Sequence, residues 1–256
     1  MLNFIGRGAA FNPKEGNNAA YYKKGDHLFL IDCGSNVYTR LIENNVLDGV
    51  NRIYVLITHT HPDHIGSLGD LIFHSFYSLG EIGYRDLRVI AHPNHNIPDI
   101  LQSLGITENM YYYSPIRMNE LGKQPTMAPF FMVGHGETNF LNIRYWVEVP
   151  HVKELYCVGY ILEIEGTIVY YSGDSNNIPE IILEKLLNDE IDIFYQDTCG
   201  ADYEGNVHLS LMKLYQLIPH EYRNKVYCMH LDKAFDEESA KELGFNVVNS
   251  IIADNA

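Results

Sequence analysis

The stretch ITHTHPDHIG at 57–66 places three histidines and one aspartate within six consecutive positions. The run RIYVLIT before it predicts a buried strand, and the apolar periodicity that begins near His64 predicts a helix. The histidines and the aspartate therefore lie in the turn between the two. Because alternate side chains of an extended backbone share a face, His59 and His61 point toward one place. Asp63 and His64 reach a second place close by.

Imidazole and carboxylate groups in this arrangement are ligands that zinc accepts. One turn can thus supply ligands to two adjacent metal ions. From the residues alone, the alternatives are a polar turn with chance histidines or a helix cap at Asp63. The concentration of ligand-type side chains favours the metal site.

Composition indicates a globular chain. With 256 residues, 46% of them hydrophobic, we expect one domain spanning 1–256. No apolar run approaches the roughly 20 residues that span a bilayer, and the start MLNFIGRGAAF lacks the features of a signal peptide. We therefore expect a soluble, cytoplasmic protein. The four cysteines show no CxxC spacing, which predicts reduced and mostly buried thiols; they are Cys33, Cys157, Cys199 and Cys228.

The charge balance narrows the choice of partner. Lysine and arginine together number 18 against 33 aspartates and glutamates, which gives a formal net charge of −15. This excess opposes general attraction to a phosphate backbone, so a long nucleic acid is an unfavourable partner. A two-metal site would add positive charge locally, and a small anionic substrate remains compatible with the chain.

Strand-like runs alternate with helix-like segments, which predicts an α/β protein built on mixed sheets. The strand-like runs lie at 27–34, 52–58, 87–92, 158–174 with a hairpin turn at 165–167, 192–197 and 225–231. The helix-like segments lie at 65–79, 179–190 and 209–218. The least regular stretch, 93–150, predicts a lid, a binding loop or a dimer arm.

HTHPDH resembles the HxHxDH signature of the metallo-β-lactamase superfamily. The resemblance covers nearly the whole chain, since IGRGAAFNPKEGNNAAYY followed by LFLIDCG is similar to the first hairpin of that fold, which ends at Asp32. His151 in VPHVKEL, Asp174 in YYSGDS and His230 in YCMHLD match the later motifs in order. The resemblance implies a four-layer αββα sandwich with two mixed sheets and a site at the mouth between them.

The same resemblance implies ligands for two zinc ions, with manganese or another divalent metal as an alternative. His59, His61 and His151 would bind one ion, Asp63, His64 and His230 the other, and Asp174 would bridge them. Asp32 would orient the ligand turn through hydrogen bonds. Taken alone, Asp174 is also typical of a Gly-Asp turn, and His230 of a core histidine. His135 in VGHGET is an alternative to His151, which is favoured because GYILEIEGTIVYYSGD follows it.

The segment from DIFYQD to YCMHLD resembles the ribonuclease Z branch of that superfamily. Asp197 stands where the branch has a glutamate, and His208 stands at a histidine that opens a helix. The resemblance implies that His208, oriented by Asp197, holds a phosphoryl oxygen and protonates the departing alkoxide. The candidate catalytic residues are therefore Asp63, Asp197 and His208. The alternative is that His208 merely lies near a helix N-terminus. The chain departs from the branch in reading QDTC and in lacking a long basic arm for tRNA.

The chain is also similar to the phage anti-Pycsar proteins, ribonuclease Z-like hydrolases that degrade cyclic nucleotides such as cyclic CMP and cyclic UMP and thereby silence host defence. This resemblance implies hydrolysis to nucleoside 5′-monophosphates, a homodimer, and a location in the host cytoplasm if a phage encodes the chain. The alternatives are a tRNA-processing or other RNA nuclease, and a non-catalytic binding module that kept the fold and lost its metals.

Contacts to the substrate are predicted from two features besides His208. Tyr111, Tyr112 and Tyr113 offer flat faces on which a nucleobase can stack, and Tyr112 is the predicted contact. Arg117 is predicted to pair with phosphate. Because the chain has 19 tyrosines, core or interface packing is the alternative for these three, and a solvated surface position is the alternative for Arg117.

Overall fold

The computed structural model of the protein describes residues 1–79, 83, 86–116, 131–135 and 138–251. Two sheets form its centre. The strands of the first sheet are β1 (Asn3–Gly6), β2 (Ala19–Lys24), β3 (His27–Ile31), β4 (Arg52–Leu56), β5 (Leu87–Ala91) and β6 (Tyr112–Pro115), in that order across the sheet. β1 to β3 are antiparallel neighbours, and β3 to β6 are parallel, so their carboxyl ends meet at one edge.

The second sheet contains β7 (Phe131–His135), β8 (Thr138–Glu148), β9 (Val158–Ile164), β10 (Thr167–Tyr171), β11 (Ile193–Asp197), β12 (Val226–Met229) and β13 (Asn246–Val247). Its order is β13-β12-β11-β10-β9-β8-β7. β7 to β10 pair in antiparallel fashion, whereas β10 to β13 are parallel. This half of the chain therefore also brings parallel strand ends together.

Helices cover the outer faces of the sheets. They are α1 (Val37–Glu43), α2 (Pro62–Ile65), α3 (Leu68–Ser78), α4 (Ile97–Ser103), α5 (Glu180–Leu187), α6 (Leu211–Leu217) and α7 (Glu237–Glu242), with 3₁₀ turns at Pro93–His95 and His220–Lys225. Within the described ranges, none of these helices has the length and apolar character that a membrane crossing requires.

Successive side chains of the buried strands point to opposite faces of each sheet, and this produces the four layers. In β3, Leu28 and Leu30 pack with the helices outside the first sheet, whereas Phe29 and Ile31 face the second sheet. In β10, Tyr170 packs toward the outer helices of its own sheet. Both sheets are thus covered on both faces, as their nearly continuous apolar runs require. The predicted αββα arrangement of two mixed sheets is confirmed.

Two local predictions differ from the structure. The helix predicted over 65–79 is interrupted, because α2 ends at Ile65 and α3 begins at Leu68. Gly66 lies in the gap, where a side chain would collide with Ser35 and with the carbonyl of Pro62. The stretch 93–150, predicted as the least regular, contains α4, β6, β7 and β8. Its predicted use as a lid, binding loop or dimer arm stays a prediction, as does the single domain. The predicted buried thiols are confirmed, since all four cysteines are buried and free.

Candidate metal centre

The predicted site residues come together at the carboxyl ends of strands from both sheets. Asp32 follows β3, Thr58 and His59 follow β4, His151 follows β8, Asp174 follows β10, Asp197 ends β11 and His230 follows β12. Such an edge is where α/β proteins commonly bind ligands, because side chains there face an open crevice. The fold thus collects residues that are up to 198 positions apart, from 32 to 230.

Two of these residues have an unusual backbone. Asp32 has φ = 64° and His230 has φ = 58°, both in the left-handed region that most residues avoid. Such a conformation costs on the order of 1–3 kcal/mol and persists where the surrounding structure fixes it, most often at functional sites. Here it turns each side chain from the end of its strand into the cluster.

The first group of ligand-type side chains contains His59, His61, His151 and Asp174, whose ligand atoms all lie within 4.8 Å of one another. His61 Nδ1 lies 3.1 Å from His59 Nε2 and 3.3 Å from His151 Nε2. Asp174 Oδ2 is 3.7 Å from His59 Nε2 and 3.8 Å from His151 Nε2. These three histidines are the ones predicted to share a metal ion.

The second group contains Asp63, His64, His230 and again Asp174, within the same 4.8 Å limit. His230 Nε2 lies 3.3 Å from Asp63 Oδ2 and 3.4 Å from Asp174 Oδ2. His64 Nε2 lies 3.4 Å from Asp63 Oδ2 and 3.2 Å from Asp174 Oδ1. Asp174 therefore belongs to both groups, which is the position predicted for a bridging carboxylate.

Asp32 orients two of the histidines from outside the groups. Its Oδ2 accepts hydrogen bonds from His64 Nδ1 at 2.9 Å and from Thr58 Oγ1 at 2.7 Å, and its Oδ1 accepts one from the Thr58 amide at 2.8 Å. Since the Thr58 hydroxyl donates to Asp32, it accepts from His59 Nδ1, 3.1 Å away. Both imidazoles consequently present Nε2 to the cluster, the role predicted for Asp32.

Two further histidines, His151 and His230, have a protein oxygen near one ring nitrogen. His151 Nδ1 donates to the Val207 carbonyl at 2.9 Å, which leaves Nε2 facing the cluster. His230 Nδ1 lies 3.3 Å from Asp197 Oδ1. The ring nitrogen that faces away from the cluster thus has a protein acceptor nearby in both residues, the arrangement typical of metal-binding histidines.

The donor set fits divalent cations. His64 Nε2 and Asp174 Oδ1 are buried and, among the described residues, make no hydrogen bond. In that same part of the chain, the buried carboxylates of Asp63, Asp174 and Asp197 form ion pairs only with histidines. Buried negative charge is costly without a counter-charge, and imidazole with carboxylate is a donor set that suits zinc or a similar metal.

The pKa values of the histidines differ between the two groups. Burial lowers the pKa of His59, as it does for His61 and His151, so the first group favours the neutral imidazoles that metal binding requires. Burial also lowers the pKa of His64, but the carboxylates of Asp174 and Asp32 more than offset it, and the net pKa is raised. The raised pKa means that His64 tends to carry a proton, and a cation bound in the second group would supply that positive charge instead.

His208 stands beside the two groups. Its Nδ1 lies 2.7 Å from Asp197 Oδ2 and 3.9 Å from Asp174 Oδ2. Asp197 is fully buried, and the same oxygen accepts from the Ser175 amide at 2.9 Å. Burial lowers the pKa of His208, but the Asp197 carboxylate outweighs that effect and raises the net pKa above its ordinary value. The predicted pairing of His208 with Asp197 is present.

A cavity of about 760 Å³ opens above this cluster. It is lined by His61, Asp63 and His208 of the cluster. It is also lined by three residues that the sequence analysis did not single out, Phe11, Tyr203 and Lys233. Lys233 is the single lysine or arginine among the described residues that line the cavity, and within that part of the chain it forms no ion pair.

Among the described residues, one predicted substrate contact, His208, lines the cavity and another, Tyr112, does not. Tyr112 lies on the edge strand β6, where the Arg88 guanidinium stands 5.1 Å from its ring centre, and it does not line the cavity. Tyr111 is buried in the core. The predicted contact of Tyr112 with substrate therefore has no counterpart in the lining of this cavity and stays a prediction. Arg117 and the side chain of His135 lie outside the described residues.

Comparison with known proteins agrees with this geometry. The family model for the anti-Pycsar protein Apyc1 matches residues 1–250. The chain belongs to this family. It is 27% identical over 247 residues to the Apyc1 of Bacillus phage 010DV004 and 28% identical over 242 residues to that of Bacillus phage BSP38; each match covers 90% of this chain and 88% of the relative.

Solved structures share the fold. The metallo-β-lactamase fold protein YhfI from Bacillus subtilis superimposes with a TM-score of 0.66 at 18% identity, over 97% of this chain and 95% of that one. The short form of human tRNase Z also gives a TM-score of 0.66, at 15% identity and with the same two coverages. Together with the family and the histidine and aspartate cluster, the fold identifies the protein as a metal-dependent hydrolase.

Proposed function

We propose that the protein is a dinuclear zinc phosphodiesterase that hydrolyses 3′,5′-cyclic nucleotides, such as cyclic CMP and cyclic UMP, to nucleoside 5′-monophosphates. The observation that carries the proposal is that Asp174 is shared by two groups of ligand-type side chains, with His208 beside it at the base of one cavity. Family membership supports the further proposal that this activity suppresses a host's cyclic nucleotide signalling against phage.

His59, His61 and His151 would hold one cation and Asp63, His64 and His230 the other, with Asp174 between them. When bound, two such cations supply Lewis-acid chemistry, which activates water and neutralises charge on phosphoryl oxygens. Asp32 and Asp197 keep the ligand histidines oriented. The protein therefore contributes a negatively charged set of ligands that is oriented by hydrogen bonds to Asp32 and by the ion pair between His230 and Asp197.

His208 supplies the proton. Its Nδ1 is held by Asp197, so its Nε2 is the atom available to the cavity. In the proposed reaction, Nε2 donates its proton to the 3′ oxygen of the ribose as the P–O bond breaks. The Asp197 carboxylate stabilises the protonated imidazole before this transfer, because it faces the opposite ring nitrogen at hydrogen-bond distance.

The size and charge of the site favour a small substrate. A cavity of about 760 Å³ lies within the usual range of roughly 300–1,000 Å³ for small-molecule sites. The net charge of −15 opposes binding of a long polyanion, whereas Lys233 at the cavity offers local attraction for one phosphate. These features favour a cyclic mononucleotide over the alternative RNA nuclease.

The test offers the purified, zinc-loaded protein a panel of substrates with mass detection of products. The panel contains cyclic CMP, cyclic UMP, cyclic AMP and a pre-tRNA. We expect nucleoside 5′-monophosphates from the cyclic nucleotides and no cleavage of the pre-tRNA. Metal analysis of the same sample separates an enzyme from a binding module without metals. Light scattering tests the proposed homodimer. Cleavage of pre-tRNA with intact cyclic nucleotides would replace the proposal with the nuclease alternative.

A further inference from the structure

Phe11 is a large apolar residue that the fold holds out into water. It is 88% exposed, lines the cavity, and is flanked by the buried Asn12. Its loop is fixed, because the Asn12 side-chain amide donates to the Leu231 carbonyl at 3.0 Å. The guanidinium of the buried Arg40 donates to three further carbonyls of the same loop, those of Pro13, Lys14 and Glu15. Phe11 is thus presented at a defined position.

Tyr203 lines the same cavity and is 58% exposed. Its loop is also fixed, since Asp232 accepts hydrogen bonds from the Gly200 amide at 2.8 Å and the Ala201 amide at 3.3 Å. Gly200 packs so closely that a side chain there would collide with the backbone of Ala234. The loop then leads directly into the residue proposed as proton donor, His208.

The two aromatic residues have a common property. They are the phenylalanine and the tyrosine among the described residues that line the cavity, and both are more than half exposed. Three residues with small side chains, Ala9, Ala10 and Ala201, line the same cavity. A flat, partly polar ligand such as a nucleobase can stack on exposed aromatic rings, whereas a compact ligand has no flat face to offer them.

We infer that Phe11 and Tyr203 form the nucleobase subsite, on which the base of the substrate stacks while its phosphate lies at the metal cluster. The inference rests on the proposed function, and it assigns to the N-terminal loop the role that Tyr112 was predicted to have. Every base has a π-face, so stacking tolerates any base. The subsite accordingly binds pyrimidine and purine nucleotides and supplies affinity more than discrimination.

The test compares Phe11→Ala and Tyr203→Ala with the wild type in the metal-loaded protein. For cyclic CMP, each variant is expected to raise KM by roughly 5- to 100-fold, the effect of losing one stacked base, with kcat little changed. Ribose 3′,5′-cyclic phosphate, which has no base, is expected to show equal kcat/KM in all three proteins. Phe11→Tyr and Tyr203→Phe are expected to keep wild-type affinity, since a flat ring remains.

A binding measurement accompanies the kinetics. Calorimetric titration with CMP is expected to show a similar weakening in both alanine variants. Tyr77→Ala serves as the control, because Tyr77 is 52% exposed on α3 and does not line the cavity. It is expected to behave as wild type.

The outcomes separate the subsite from the reaction. A wild type that leaves all cyclic nucleotides intact removes the proposed function, and CMP binding then decides the subsite alone. Unchanged KM and CMP affinity in an active Phe11→Ala and Tyr203→Ala pair overturn the subsite. An equal loss on ribose 3′,5′-cyclic phosphate also overturns it, because the loops would then position the reaction rather than bind the base.

Discussion

His208 Nδ1 donates a hydrogen bond of 2.7 Å to the buried Asp197 Oδ2. The other oxygen of this carboxylate lies 3.3 Å from His230 Nδ1. One carboxylate therefore orients both a proposed metal ligand and the proposed proton donor. A displacement of β11, which carries Asp197, would move both histidines together, so the relative placement of His208 and His230 depends on a single strand end.

The first prediction concerns the proton donor. His208→Ala is expected to lower kcat for cyclic CMP by roughly 10²–10⁴-fold with both metals retained, because the 3′ oxygen then leaves as an alkoxide. For a p-nitrophenyl phosphodiester the loss is expected to be much smaller, since that leaving group departs without a proton. Asp197→Asn is expected to give a milder loss. Steady-state kinetics with metal analysis measure all three, and equal losses on both substrates would contradict the acid role.

The pH profile gives a second prediction. Burial lowers the pKa of His208, but Asp197 reverses this and sets it above the ordinary value of 6.5. A general acid acts in its protonated form, so activity is present below the raised pKa and declines as the pH rises through it. We expect an alkaline limb in kcat for cyclic CMP. The p-nitrophenyl substrate and the His208→Ala variant are expected to lack it. A limb that persists in the variant would assign it to another group.

The sequence predicts those site residues best that lie close together along the chain. His59, His61, Asp63 and His64 lie in one turn after a strongly apolar strand, and their geometry follows from strand and helix periodicity. Asp174 was ambiguous by itself, because aspartate after glycine is common in turns. Only the packing of the two sheets against each other places it between two groups of histidines, and that packing is a property of the whole fold.

The region 93–150 shows what periodicity misses. β8 carries the buried Leu141 and Ile143, which fit an alternating strand. A shift in register between Ile143 and Tyr145 then breaks the alternation, so the sequence of this strand does not show the regular two-residue period that predicts a strand. Phe11, Tyr203 and Lys233 were missed for a different reason, since they are loop residues with no spacing pattern. Their role depends on which loops the sheets bring to one cavity.

The third prediction tests the metal centre. Asp63→Ala or His61→Ala is expected to abolish hydrolysis and to lower metal content, because each removes one ligand from a group of four. The fold is expected to remain, since His61 precedes the one-turn helix α2 and Asp63 lies in it, both outside the three hydrophobic clusters. Activity, metal analysis and circular dichroism check this. Normal turnover after complete removal of metal by a chelator would exclude the metal mechanism.

The fourth prediction concerns Asp32, which touches no proposed metal position. Asn tolerates the left-handed backbone at φ = 64°, so Asp32→Asn keeps the turn, but it weakens the bonds to His64 and Thr58. We expect metal affinity to fall by roughly 10- to 100-fold. Competition with a chromogenic chelator measures it. Asp26→Asn, an exposed position, is the matched control. Equal affinity in the two variants would show that Asp32 serves the fold alone.

The last prediction concerns charge at the cavity. Lys233 is exposed, lines the cavity and forms no ion pair within the described residues, so its ammonium group is available to an anionic substrate. Lys233→Met is expected to raise KM for cyclic CMP by roughly two- to fivefold at low salt, with kcat unchanged, which is the usual scale for one exposed charge. The difference is expected to vanish near 0.5 M salt, because the Debye length falls below about 5 Å. Lys24→Met is the control, since it changes the net charge equally while its side chain pairs with Glu165 away from the cavity. If the two variants raise KM alike, the effect belongs to the net charge of the whole protein; if neither does, Lys233 does not contact the substrate.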